Sequence, residues 1–181
     1  MTGPDRAYVA LLRGINVGRA NRIAMADLRR LLECLGLTDV RTLLDSGNAV
    51  FHARPEAAKS AAGAIEGALA RELGVNARVV VLSADEVRAA VRNNPLTPVE
   101  APSRFLVAFL ATDADAGRLA PLRERSWAPE AFAMSGRVAY LSCVNGITGS
   151  AVAAALATAL GATVTSRNWA TVLRLQEMTN E

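Results

Sequence analysis

"VRTLLDSGNAVFHA", residues 40–53, decides the fold. Two apolar, β-prone runs, 40–45 and 48–53, flank a Ser-Gly pair at 46–47, the pattern of two antiparallel strands joined by a tight turn. Upstream, "MADLRRLLECLG" (25–36) carries Leu28, Leu31, Leu32 and Leu35 at helical spacing, with Asp27 in the first turn and Gly36 as a stop. Ahead of it, "AYVALLR" (7–13) is an apolar run long enough for a buried strand and too short for a helix. Downstream, Pro55 opens a helix with Ala58, Ala61, Ala62, Ile65, Leu69 and Leu73 on one face, and Gly74 closes it. "ARVVVL" (77–82) is a further buried strand. The order is β-α-β-β-α-β, the ferredoxin-like pattern.

The layout recurs. "SADE" (83–86) is a capping box that opens a short helix, and "NNPLTPVEAPS" (93–103), with three prolines, reads as a linker. Then follow a strand at 104–110, a weak helix at 115–125 interrupted by Pro121, a hairpin at 130–143, an alanine-rich helix at 149–161 and a short strand at 162–165. A last helix from Arg167 to about Thr179, which Ser166 can cap, stands outside both repeats. The expected class is α+β, two ferredoxin-like halves with an extra C-terminal helix. Half one is 1–82, a short helix and Pro-rich linker occupies 83–103, half two is 104–165, and the terminal helix is 166–181.

Composition narrows the function. Half of the residues are apolar, enough for a real core. No run reaches the ~18 apolar residues of a membrane helix, and "MTGPDRAYVALLRG" has no small-residue cleavage site after its apolar run, so a cytoplasmic protein is expected. The cysteines, Cys34 and Cys143, form no CxxC or Cys/His pair, which argues against zinc and thioredoxin-type chemistry and favours buried free thiols. No metal or cofactor is expected. His52 is the only histidine and Lys59 the only lysine among twenty basic residues. The most basic window, Arg13 to Arg30, holds five arginines against one acid, Asp27.

In a ferredoxin-like sheet, with spatial order 4-1-3-2, the chain leaves strand 1 at the edge where the strand 2–strand 3 turn lies. Arg13 to Arg22 and Ser46-Gly47-Asn48 should therefore converge, beside the start of the first helix. Gly14 and Gly18 let the backbone bend close to a ligand. Asn16, Asn21 and Asn48 supply donors and acceptors, and Arg13 a planar fork for phosphate or carboxylate. Arg167 and Asn168 join this set if the last helix packs there, since an arginine at a helix start needs an anionic or carbonyl partner. The candidate binding residues are Arg13, Gly14, Asn16, Gly18, Asn21, Ser46, Asn48, Arg167 and Asn168. The same asparagines and glycines also serve turns that bind nothing.

These features point to a binding module for a small anionic or nucleotide-like ligand. Competing classes are a nucleic-acid binder, an interaction platform and an enzyme. The first has only Tyr8 and Phe51 as central-strand aromatics and a weak electrostatic case. An enzyme would need Asp45, Ser46 and His52 together, yet His52 lies four residues beyond Asn48, roughly 13 Å along a strand. The loop lacks the Gly-Lys-Ser/Thr of a phosphate-binding P-loop, and "RGINVG" is not G-x-G-x-x-G. A membrane partner is not expected, and oligomeric state is not legible.

"YVALLRGINVGRANRIAMADLRRLLECLGLTDVRTLLDSGNAVF" (8–51) and "TSRNWATVLRLQEM" (165–178) resemble the opening and end of the bacterial domain of unknown function 1697 family, DUF1697. The matching positions are Arg13, Gly14, Asn16, Gly18, Asn21, Ser46, Gly47, Asn48, Arg167, Asn168, Trp169 and Thr171. The resemblance implies two ferredoxin-like halves and carries no catalytic residues with it. Arg19 stands where the family usually has glycine, Asp45 follows Leu43-Leu44 where a Tyr-Ile-Gln-like segment is common, and Ala170 replaces a frequent asparagine.

Overall fold

The computed structural model describes residues 4–16, 21–97 and 99–181. By chain contacts it divides into two units, Met1–Val87 with Leu175–Glu181, and Arg88–Arg174.

The first unit is built from β1 (Arg6–Arg13), α1 (Met25–Cys34), β2 (Thr38–Leu43), β3 (Asn48–Ala53), α2 (Pro55–Leu73) and β4 (Arg78–Ser83). Its antiparallel sheet has the order β2-β3-β1-β4, with β1 and β3 central. Tyr8 pairs with Phe51 and Leu11 with Asn48, while on the other side Leu12 pairs with Val79. The period-2 pleat sends Ala10, Leu12, Ala49, Phe51 and Val79 into one core with Leu28 and Leu32 of α1 and Ile65 and Leu69 of α2. Each fully buried leucine, isoleucine or phenylalanine there contributes about 1.5–3 kcal/mol. α2 starts with proline in its first turn and ends at Gly74, whose φ of 63° is the left-handed cap expected of that glycine.

β2 begins at Thr38 rather than at 40 and stops at Leu43 rather than at 45. Both ends have a backbone cause. The register shifts between Thr38 and Arg41, around Asp39 at φ 50°, and Leu44 at φ 59° turns the chain out of the sheet. Cys34 also departs from expectation. It is exposed, because α1 buries only its leucine stripe, whereas Cys143 is buried as foreseen.

α3 (Ala84–Arg92) opens on the foreseen capping box: Ser83 N–H and Oγ–H donate to Glu86 Oε2, and Glu86 N–H donates to Ser83 Oγ. The division between the units falls inside α3.

The second unit continues with β5 (Phe105–Leu110), α4 (Asp113–Arg118), α5 (Ala120–Glu124), β6 (Ala131–Ser135), β7 (Val138–Ser142), α6 (Ala151–Leu160), β8 (Val164–Asn168) and the start of α7 (Trp169–Met178), whose residues from Leu175 on group with the first unit. Its antiparallel sheet, β6-β7-β5-β8, repeats the first sheet's order. Leu106, Ala108, Leu141, Val152 and Leu156 lie in its core. The weak helix is two short ones that meet at Leu119, with Pro121 in the first turn of α5, where a missing N–H costs nothing. The last strand runs to Asn168, over residues read as the start of the terminal helix. The cap of α7 is accordingly Asn168, whose Oδ1 accepts from Thr171 N–H at 2.9 Å, and not Ser166, which sits inside β8. Strand pairing of Ser166 with Ala108 and Arg167 with Val107 extends the sheet where local helix signals end.

Candidate functional site

The first loop and the β2–β3 turn lie side by side in the first unit. Leu12 N–H donates to Gly47 O at 2.8 Å, the backbone tie that draws the end of β1 against the turn. Gly47 is at φ 81°, and a Cβ there would come within 2.7 Å of Ile15 Cδ1, so only glycine fits. Asn16 joins the two segments with its side chain. Nδ2 donates to Ile23 O (3.0 Å) and Asp45 O (2.6 Å), and Oδ1 accepts from Ile23 N–H (2.8 Å). Asn21 Nδ2 donates to Gly14 O at 3.0 Å, and Asn16 N–H to Asn21 O at 2.9 Å. Both asparagines are in the left-handed region, at φ 53° and 54°, which their short polar side chains tolerate. Asn48 is fully buried, and its Nδ2 donates to Leu43 O and to Ser46 Oγ.

The amides of Asn16, Asn21 and Asn48 thus build the edge. The depression beside them, of about 430 Å³, is lined by Asn16, Arg22, Ile23, Ala24 and Asp45. Of the candidate binding residues, Asn16 alone is in this lining among the described residues. Arg13 pairs with Arg78 at the end of β1 and is not part of the lining. Arg22 and Asp45 were absent from the candidate binding set, although the basic window pointed to Arg22 and Asp45 was weighed with Ser46 and His52 as a catalytic trio. Asp45 was read as the end of a strand, but β2 stops at Leu43, so strand alternation does not show which way it faces. α1 starts at the same depression, with Ala24 in the cap position and no side-chain cap. Gly18 lies outside the described residues.

Arg167 and Asn168 belong to the second unit. Arg167 Nη1 donates to Ser166 O at 2.8 Å, and burial lowers its pKa to about 10. Asn168 is the cap of α7. Trp169 packs edge-to-face on Phe105, ring centroids 5.5 Å apart, as a core anchor. In the same unit Tyr140 is buried and donates its hydroxyl to Ala90 O at 2.7 Å, and burial pushes its pKa up to about 12. Burial, with a smaller contribution from the Glu130 charge and against the Ser150 hydrogen bond, pushes the Cys143 thiol up and disfavours its thiolate.

The trio Asp45, Ser46 and His52 is not assembled. His52 Nδ1 lies 3.2 Å from Asp39 Oδ2, on the neighbouring strand, and Ser46 Oγ takes the Asn48 amide. Among the described residues no group of three or more His, Cys, Asp or Glu side chains could hold a metal ion, and no helix is long and apolar enough to cross a membrane.

The model of a family described as "Protein of unknown function (DUF1697)" matches residues 6–140. In structure the chain is similar to the conserved bacterial protein SP0830 from Streptococcus pneumoniae, with a TM-score of 0.80 and 23% sequence identity over 97% of this chain and 99% of that one. At that identity the likeness is one of fold. No curated protein matches the sequence. The α+β architecture of paired four-stranded sheets, and a match that spans three quarters of the sequence, place this chain in the DUF1697 family.

Proposed function

We propose that the edge formed by the first loop and the β2–β3 turn binds a small anionic, nucleotide-like ligand. The observation that carries this reading is the depression of about 430 Å³ in which Arg22 and Asp45, from segments more than twenty residues apart, share one lining. Arg22 offers a guanidinium fork suited to phosphate or carboxylate. The uncapped first turn of α1 adds main-chain N–H groups at the same wall. Asp45 has no protein partner for its carboxylate among the described residues, repels a bare anion and accepts from a ligand N–H or O–H. A nucleotide carries both kinds of group, whereas inorganic phosphate satisfies only Arg22. Gly14, Asn16, Asn21, Ser46, Gly47 and Asn48 hold the two walls in place, with Arg13 at the base of the loop.

The test is a thermal-shift and calorimetric screen of nucleotides and phosphorylated metabolites. Arg22→Ala should weaken a detected ligand by about tenfold or more, the scale of one charge-assisted contact. Unchanged affinity in that variant refutes the assignment.

A further inference from the structure

A second cavity, of about 320 Å³, lies within the second unit and shares no residue with the edge described above. Its size is at the lower end for small-molecule sites. Phe105 forms part of its lining, 3% exposed and held by the edge-to-face contact with Trp169. Leu96, Val99 and Val144 add apolar walls. Three polar side chains complete it. Arg104 donates through Nη1 to Val144 O at 3.0 Å, which anchors the guanidinium at the cavity, and no other hydrogen bond or ion pair engages that side chain among the described residues. The Glu100 carboxylate and the Ser142 hydroxyl have no protein partner among the described residues.

An independent observation stands next to this cavity. Asn94 is 6% exposed, and its Oδ1 accepts from the N–H of Leu96, one of the lining residues. Its Nδ2 is buried without an acceptor among the described residues. Leaving such a donor unsatisfied carries the desolvation penalty of the amide, which folded proteins rarely bear without a reason. Around the first loop the asparagine amides are engaged by their own backbone. Here the Asn94 donor is left over, beside the solvent-exposed Arg104 and Glu100.

One guanidinium, one carboxylate and a hydroxyl around an apolar lining match a zwitterion with a hydrocarbon side chain. We propose that this cavity binds a free apolar α-amino acid. Its carboxylate takes the remaining N–H groups of Arg104 and the Ser142 hydroxyl, its ammonium group faces Glu100, and its side chain covers Phe105, Leu96 and Val144.

The experiment is calorimetry and amide-resolved NMR titration of the full chain with L-leucine and L-phenylalanine, alongside their N-acetyl and C-terminal amide derivatives. The free amino acids should shift resonances of Leu96, Phe105 and Val144, and either blocked derivative should bind at least about tenfold more weakly. Arg104→Gln should weaken binding by a similar factor. Because Arg104 also ties down the Val144 loop, Leu96→Trp is the second variant, filling the cavity while Arg104 stays in place; it should abolish binding and keep the far-ultraviolet spectrum. No binding of either amino acid at millimolar concentration, equal binding of the blocked forms, or wild-type affinity in a folded Leu96→Trp protein overturns the proposal.

Discussion

Gly47 and Leu44 are neighbours in one turn and make opposite demands on the backbone. A Cβ at Gly47 would meet Ile15 Cδ1 at 2.7 Å and Leu12 Cβ at 2.8 Å, on a backbone at φ 81°. Gly47→Ala is expected to cost about 2–4 kcal/mol, the sum of a left-handed penalty and overpacking. Gly36 has the same φ but open space around it, so Gly36→Ala should cost only about 1 kcal/mol. Urea denaturation of both variants checks this, and equal losses would contradict the close packing of loop and turn. Leu44 is 60% exposed at φ 59°, a conformation that disfavours a leucine. Leu44→Asn is expected to raise stability by about 0.5–1 kcal/mol, read as a higher melting temperature. The glycines of this turn were legible in the sequence because their backbone freedom is a property of the residue. The role of Asn16 was not, since the same amide can serve a ligand or its own loop, and only the positions of Ile23 and Asp45 show which backbone groups it holds.

At the scale of elements, reciprocal caps hold the starts of α3 and α4. The Ser83–Glu86 box was readable as Ser-x-x-Glu, and Ser83→Ala should cost about 1 kcal/mol. Thr112 and Asp115 form a second box that the sequence reading passed over because Pro121 weakened the helix pattern around it. Burial raises the pKa of Asp115, but hydrogen bonds from Thr112 and Thr163, with the Arg118 charge, outweigh it and hold the carboxyl below its usual 3.8. The fold therefore favours the carboxylate. Its contribution is complete above the unfolded-state pKa and is lost as pH falls through the lower folded-state value. Asp115→Asn should destabilise the protein clearly at neutral pH, and the gap from wild type should close on acidification below about pH 4, followed by thermal melts. A gap that stays constant with pH would show that the carboxylate charge plays no part. Element boundaries were less legible than element identity. β8 overruns the expected helix start because Leu106 to Leu110 supply a pairing edge that no local signal reveals.

For the whole molecule, Leu175–Glu181 group with the first unit, although they follow the second in sequence. Arg41 of β2 donates to Met178 O and pairs with Glu181, each at 2.7 Å. Arg41→Ala should cost about 1 kcal/mol and speed amide hydrogen exchange in residues 175–181; unchanged exchange would show that this tie holds nothing. The paired sheets of identical strand order come from halves that share element order and not residues. By itself the sequence determined that order, the turn glycines, and the leucine and alanine stripes, because apolar periodicity and backbone preference act over a few neighbours. Only the tertiary structure decided that Asn16, Asn21 and Asn48 tie backbone together, that Arg22 and Asp45 line a depression, and that Arg104 and Glu100 line another. A polar side chain takes whichever partner the distant chain brings within about 3 Å, and residue type alone carries no record of that distance.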